Sequence, residues 1–161
     1  MQNVRIVELP AARAAVSGPL TDMERFTAFN NWFSAYHSKL KCELCPRDFM
    51  RINERLNVRE WMYLLPAGAP EECGGFEVVD IPSGLYAVAS CLDADLDGAA
   101  DWLRTRKELH DWVEKSELFE LDECANEGSE RYPMFHIVSP GYLMEKGISI
   151  EDMYVPVKLL G

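Results

Sequence analysis

Basic residues are scarce in this chain. Across 161 residues, 16 lysines and arginines stand against 27 acids, a formal net charge of −11. Nucleic-acid binding relies on clustered Lys and Arg to neutralise phosphates, so this balance argues against a nucleic-acid partner. It suits solubility or cationic partners. No apolar run approaches the roughly 20 residues of a membrane span. Arg5 is followed closely by Glu8, without the basic start and long apolar core of a signal peptide. The five cysteines are odd in number and lack the spacing of a disulfide scaffold, which reads as reduced thiols in a cytoplasm. There is no Gly-x-Ser-x-Gly, phosphate loop, dinucleotide fingerprint or helix-turn-helix. His37, His110 and His136 have no carboxylate–serine partners nearby in sequence. Cys42 and Cys45 have no second ligand pair to complete a zinc site. The run from Asp93 to Gly98 opens like a calcium loop, but Arg104 occupies the position of its bidentate acid, so an acidic helix cap, with Asp97 as the capping residue, is the better reading. No cofactor and no metal are expected.

What the chain does contain is a repeat. Residues 4–16, VRIVELPAARAAV, lie beside residues 76–88, FEVVDIPSGLYAV, at an offset of 72. Both run apolar, charged, two branched apolars, acid, branched apolar, proline, two small residues, then a second apolar stretch. A second echo pairs Trp61-Met62-Tyr63-Leu64-Leu65 with Asp152-Met153-Tyr154-Val155-Pro156. A module this small cannot bury its own core, so two copies imply one domain, 1–161, with a pseudo-twofold axis. Repeat one spans 1–68, the turn-rich linker 66–75 and repeat two 76–161. The 48% hydrophobic and 11% aromatic content is enough for a real core. The seam between the halves is a natural ligand site.

Strands are expected at 4–9, 13–17, 60–65, 76–81 and 85–92, with further strands at 119–121, 132–138 and 153–159. Thr21 and Glu24 match a capping box ahead of a helix whose apolar face is Phe26, Phe29, Phe33, Tyr36 and Leu40, ended by Cys45-Pro46. Trp102, Leu109, Trp112 and Val113 mark a second helix. The pattern predicts an α+β fold, an antiparallel sheet with two long helices on one face. Trp61 and Tyr63 share one face of their strand, and the repeat maps Tyr63 onto Tyr154. Both tyrosines are therefore expected opposite the helices, lining a pocket where ring faces attract cations.

Ile81-Pro82-Ser83-Gly84-Leu85-Tyr86-Ala87-Val88, Glu130-Arg131-Tyr132 and Tyr154-Val155-Pro156-Val157 together resemble three ordered motifs of the GyrI-like family. That family comprises gyrase-inhibitor-like proteins and the effector-binding domains of AraC- and MerR-type multidrug-responsive regulators. The resemblance implies a tandem strand–helix–strand–strand duplication, a curved antiparallel sheet and a pocket between the halves. It implies a hydrophobic, often cationic, small molecule as ligand, with Glu130 as counter-charge. Trp61, Tyr63, Tyr86, Tyr132 and Tyr154 would form the walls. Ser129 and Pro133 depart from the family pattern, as does the long stretch between Tyr132 and Tyr154, which leaves Glu123 and Glu127 as alternative carboxylates. The chain would act alone or as the effector half of a split transcription regulator. Two other readings stand beside this one. In one, the chain is a hydrolase of strained electrophilic natural products with Glu130 as general base and Tyr132 or Trp61 positioning the substrate. In the other it captures a protein partner such as gyrase.

Overall fold

A computed structural model describes residues 3–39, 48–53, 58–66, 68–69, 72–93, 99–123 and 130–161. Strands β1 (Arg5–Leu9) and β2 (Ala12–Pro19) flank Pro10, which cannot donate to a ladder and turns the chain. Helix α1 (Met23–His37), β3 (Asp48–Asn53) and β4 (Val58–Leu64) complete the first half. The second half contains β5 (Glu77–Ile81), β6 (Gly84–Asp93), α2 (Ala99–Glu114), β7 (Phe119–Leu121), β8 (Met134–Ile137), the single-turn α3 (Gly141–Met144) and β9 (Ser149–Leu159). The fold is α+β. Among the described residues the strands make one antiparallel sheet in the order β1-β6-β9-β8-β3-β4-β2-β5, with β7 also on β9.

The repeat is visible in that order. Shifting β1 by 72 residues gives β5. Each of these strands pairs with the other half's second strand: β1 with β6, and β5 with β2. The two halves meet in the middle, where β3 pairs with β8. The sheet curls, so that Val7 and Leu9 at one end of the order share a cluster with Val79 and Ile81 at the other. Both long helices lie on the opposite face. Phe29 and Phe33 of α1 pack on Ala15 and Tyr63. Trp102, Leu109 and Val113 of α2 pack on Ala87, Ala89, Met153, Val155 and Val157.

Two local expectations need correction. Asp22, not Thr21, caps α1: its Oδ1 accepts the Arg25 amide at 2.9 Å. Either residue can satisfy an end-of-helix amide, and the helix begins one residue later than the capping box implied. The second correction concerns the tyrosines. Val16 pairs with Met62, and Val88, 72 residues on, pairs with Tyr154. Met62 therefore corresponds to Tyr154, and Tyr63 to Val155. The sequence echo is one residue out, and a one-residue slip moves every side chain to the other face. Leu40 and Cys45-Pro46 lie outside the described residues.

Phe29 is fully buried among Trp32, Phe33, Trp61 and Phe76. Phe29→Ala should lower unfolding free energy by about 3–5 kcal/mol, the usual loss for a buried ring. Urea denaturation followed by circular dichroism checks this; a loss below about 1 kcal/mol would mean α1 is not docked as described.

Candidate functional site

Strand alternation builds the site on the face away from the helices. Tyr86 and Val88 of β6, Met62 of β4, Phe49 of β3 and Met134 of β8 are buried there, with Tyr154 of β9 packed against them. The Tyr154 ring meets Tyr86 edge-on at 6.2 Å and Phe49 at 5.6 Å. Tyr132 sits just before β8, half-buried, with the Arg51 guanidinium 5.2 Å from its ring centre. Arg51 in turn pairs with the buried Glu60 across β3 and β4 at 2.6 Å.

Arg131 is the most heavily bonded residue of the site. It is 7% exposed. Its guanidinium lies 5.3 Å from the Tyr86 ring centre. Nη1 donates to the Leu85 carbonyl at 2.8 Å and Nη2 to the Val157 carbonyl at 2.6 Å, while Nε donates to Asp122 Oδ2 at 3.0 Å. Nη2 also bonds Asp122. A buried guanidinium needs this degree of satisfaction to offset its desolvation. Burial pushes the Tyr86 phenol above its ordinary pKa; the Arg131 cation works against this and Asp122 adds to it.

Between these groups lies a hollow of about 30 Å³, lined by Arg51, Met62, Tyr86, Glu130, Arg131 and Tyr132 among others. That is room for about one water molecule. Glu130 stands exposed at its rim. With the paired Glu60 and Asp122, two guanidiniums stand beside three carboxylates, so the described surroundings are net negative. A larger groove of about 520 Å³ runs between α2 and the sheet, past Val4, Ala89, Leu109 and Trp112. None of the site residues expected from the sequence lines it.

Of the six expected site residues, the structure brings Glu130, Tyr132 and Tyr86 to one hollow and places Tyr154 directly behind Tyr86. It does not bring Trp61 and Tyr63 there. Both face α1: Trp61 stacks on Phe26 at 4.7 Å and donates from Nε1 to Asp48 at 3.0 Å, and the buried Tyr63 hydroxyl hydrogen-bonds His37 Nδ1 at 3.1 Å. Sequence reasoning missed Arg131 and Arg51. The one signal for Arg131 was Gly84, whose missing side chain leaves the guanidinium its space: a Cβ there would overlap Nη1.

No protein-family model matches the chain, and no curated protein matches it in sequence. Solved structures do match in three dimensions. The EcmrR C-terminal domain superposes with a TM-score of 0.66 at 13% identity, covering 99% of both chains. SAV2435 bound to tetraphenylphosphonium gives 0.54 at 12% identity, over 97% of this chain and 94% of that one. A hydrolase from Listeria innocua gives 0.56 at 10% identity, over 98% and 92%. The fold is GyrI-like.

On this GyrI-like scaffold the alternative carboxylate Glu123 serves a different end. It is 3% exposed and accepts from His110 Nε2 at 2.7 Å and from Arg106 Nη2 at 3.0 Å, both on α2. Burial pushes its carboxyl up, but the His110 hydrogen bond and the Arg106 and His110 charges outweigh that and hold it below the ordinary range. Glu127 lies outside the described residues, as do Cys42, Cys45 and the run from Ala94 to Gly98. Among the described residues no three His, Cys, Asp or Glu side chains are grouped to hold a metal ion.

A depressed carboxylate stabilises the fold above its unfolded pKa and loses that effect as pH falls through the folded value. Glu123→Gln should therefore lower Tm at pH 7. The gap between variant and native should close as pH falls below about 4.3, the unfolded carboxylate value. Thermal melts across pH check this, and a gap that widens on acidification would contradict it.

Proposed function

We propose that this chain binds lipophilic small molecules, organic cations among them, on the concave face of its sheet. Tyr86, Tyr132 and Tyr154 supply the ring surfaces, Met62 and Met134 adaptable apolar walls, and Glu130 a counter-charge at the rim. Trp61 and Tyr63 support the site from behind, on the other face of β4. The observation that carries this reading is that the two tyrosine rings of the hollow each already lie against a guanidinium. Ring faces arranged to accept a cation, within net-negative surroundings, suit a cationic or polarisable aromatic ligand. The shared fold with SAV2435 in complex with tetraphenylphosphonium supports the same class. A cytoplasmic setting fits the buried thiols of Cys73 and Cys91. Among the described residues no helix is long and apolar enough to cross a membrane. The domain would serve to sequester such molecules or to sense them for a transcription regulator.

A second reading is favoured by the shared fold with the Listeria innocua hydrolase. Glu130 would then orient a water toward an electrophilic carbon, with Tyr132 beside it positioning the substrate. Trp61 faces α1 and cannot take that role. Product beyond one equivalent from a cyclopropane-containing electrophile would select this reading over simple binding.

Glu130→Gln should weaken tetraphenylphosphonium about two- to fivefold in isothermal titration calorimetry, the worth of an exposed ion pair. Binding of neutral triphenylphosphine oxide should be unchanged. Equal losses for both ligands would remove Glu130 as counter-charge.

A further inference from the structure

The hollow is too small for the ligand class that suits its walls. Pockets for drug-sized molecules span about 300–1,000 Å³, whereas this one holds about 30 Å³. Something lining it must move. The walls from β3, β4, β6 and β8 are each fixed by ladder pairing on both sides, and that from the end strand β5 by pairing with β2. Residues Glu130 to Tyr132 precede β8 and have no strand pairing. Arg131 lies in that segment, and its guanidinium covers the Tyr86 ring.

We propose that Arg131 is an internal cation that occupies the Tyr86 face in place of a ligand, and that a cationic ligand binds by displacing it. This deepens the binding reading above and rests on it. Three observations converge on it. The guanidinium already makes the contact with Tyr86 that a ligand cation would make. Its partner Asp122 has a side chain 24% exposed, so a replacing cation can approach that carboxylate from solvent. The space Arg131 fills exists only because residue 84 has no side chain. Displacing Arg131 therefore enlarges the hollow, bares an aromatic face and removes the guanidinium from a nearby carboxylate. It also sets the ligand class: a compact or aryl-substituted cation that can lie on a tyrosine ring and meet a carboxylate. A neutral ligand gains the space but not the charge. The closed state reduces apparent affinity by the fraction of molecules in which the ring is free.

Two variants test this by different routes. Arg131→Met removes the cation. Gly84→Ala keeps every charge and evicts the guanidinium by steric overlap; the backbone at Gly84 is not in the left-handed region, so alanine is accommodated there. Each full-length variant is titrated with tetraphenylphosphonium and with triphenylphosphine oxide, after circular dichroism shows native-like folding. Both variants should bind the phosphonium about tenfold more tightly than the native chain, and the double variant no more tightly than either. Asp122→Asn in the Gly84→Ala background should reverse the gain for the phosphonium alone. Native binding with unchanged or weaker binding in the two variants would overturn the internal-cation role while leaving the binding reading intact. No binding by native or variant chains would overturn both. Should Arg131→Met fail to fold, Gly84→Ala alone decides, since its effect on affinity has the same predicted sign.

Discussion

The exchange of first strands between the two repeats is the constraint on which the rest depends. β1 belongs by sequence to the first half and pairs with β6 of the second, while β5 does the reverse with β2. Neither half can complete its own sheet. Joined again at β3–β8, the halves form one curved surface whose two ends share a core with its middle. Parity along each strand then sends one set of side chains to the helices and the other to the hollow. The face carrying Tyr86, Tyr154, Met62 and Met134 is a consequence of that closure.

Among the described residues, the charged groups buried on this face have partners. Arg51 meets Glu60, Arg131 meets Asp122, and Asp152 takes both Arg5 and Ser90. His136 donates from Nδ1 to the Asp48 carbonyl and packs on Phe49. Pairs of this kind contribute less to stability than an apolar core of the same volume, because both charges lose solvation. Their presence on the concave face fits the proposed binding of charged ligands there. The strap around Asp122 and Glu123 links the two sides of the molecule. Its first carboxylate holds Arg131 over Tyr86, and its second is held by α2.

Most of the architecture was legible in the sequence because the repeat is strongest where the exchange occurs. The proline-punctuated strand pairs 5–19 and 77–93 reproduce each other at one offset, and the aromatic face of α1 is regular. β3 escaped notice because Arg51 sits on its buried face. A charge there breaks the apolar alternation, and the cross-strand Glu60 and the Tyr132 ring make it tolerable. The face of Tyr63 was misassigned, and that of Tyr154 was not, because a Met-Tyr dipeptide carries no parity of its own; register is fixed by partners on β2 and β6. The Glu-x-Tyr motif drew attention to Glu130 and Tyr132 and away from the arginine between them. Its role appears only when Gly84, 47 positions earlier, is seen to make room for it.

The most direct test of this account is a crystal structure of the native chain grown with tetraphenylphosphonium. The account predicts ligand density against Tyr86 on the concave face, with the Arg131 side chain withdrawn from the ring and Asp122 facing the cation. Ligand bound instead in the groove between α2 and the sheet, with Arg131 still seated on Tyr86, would contradict it.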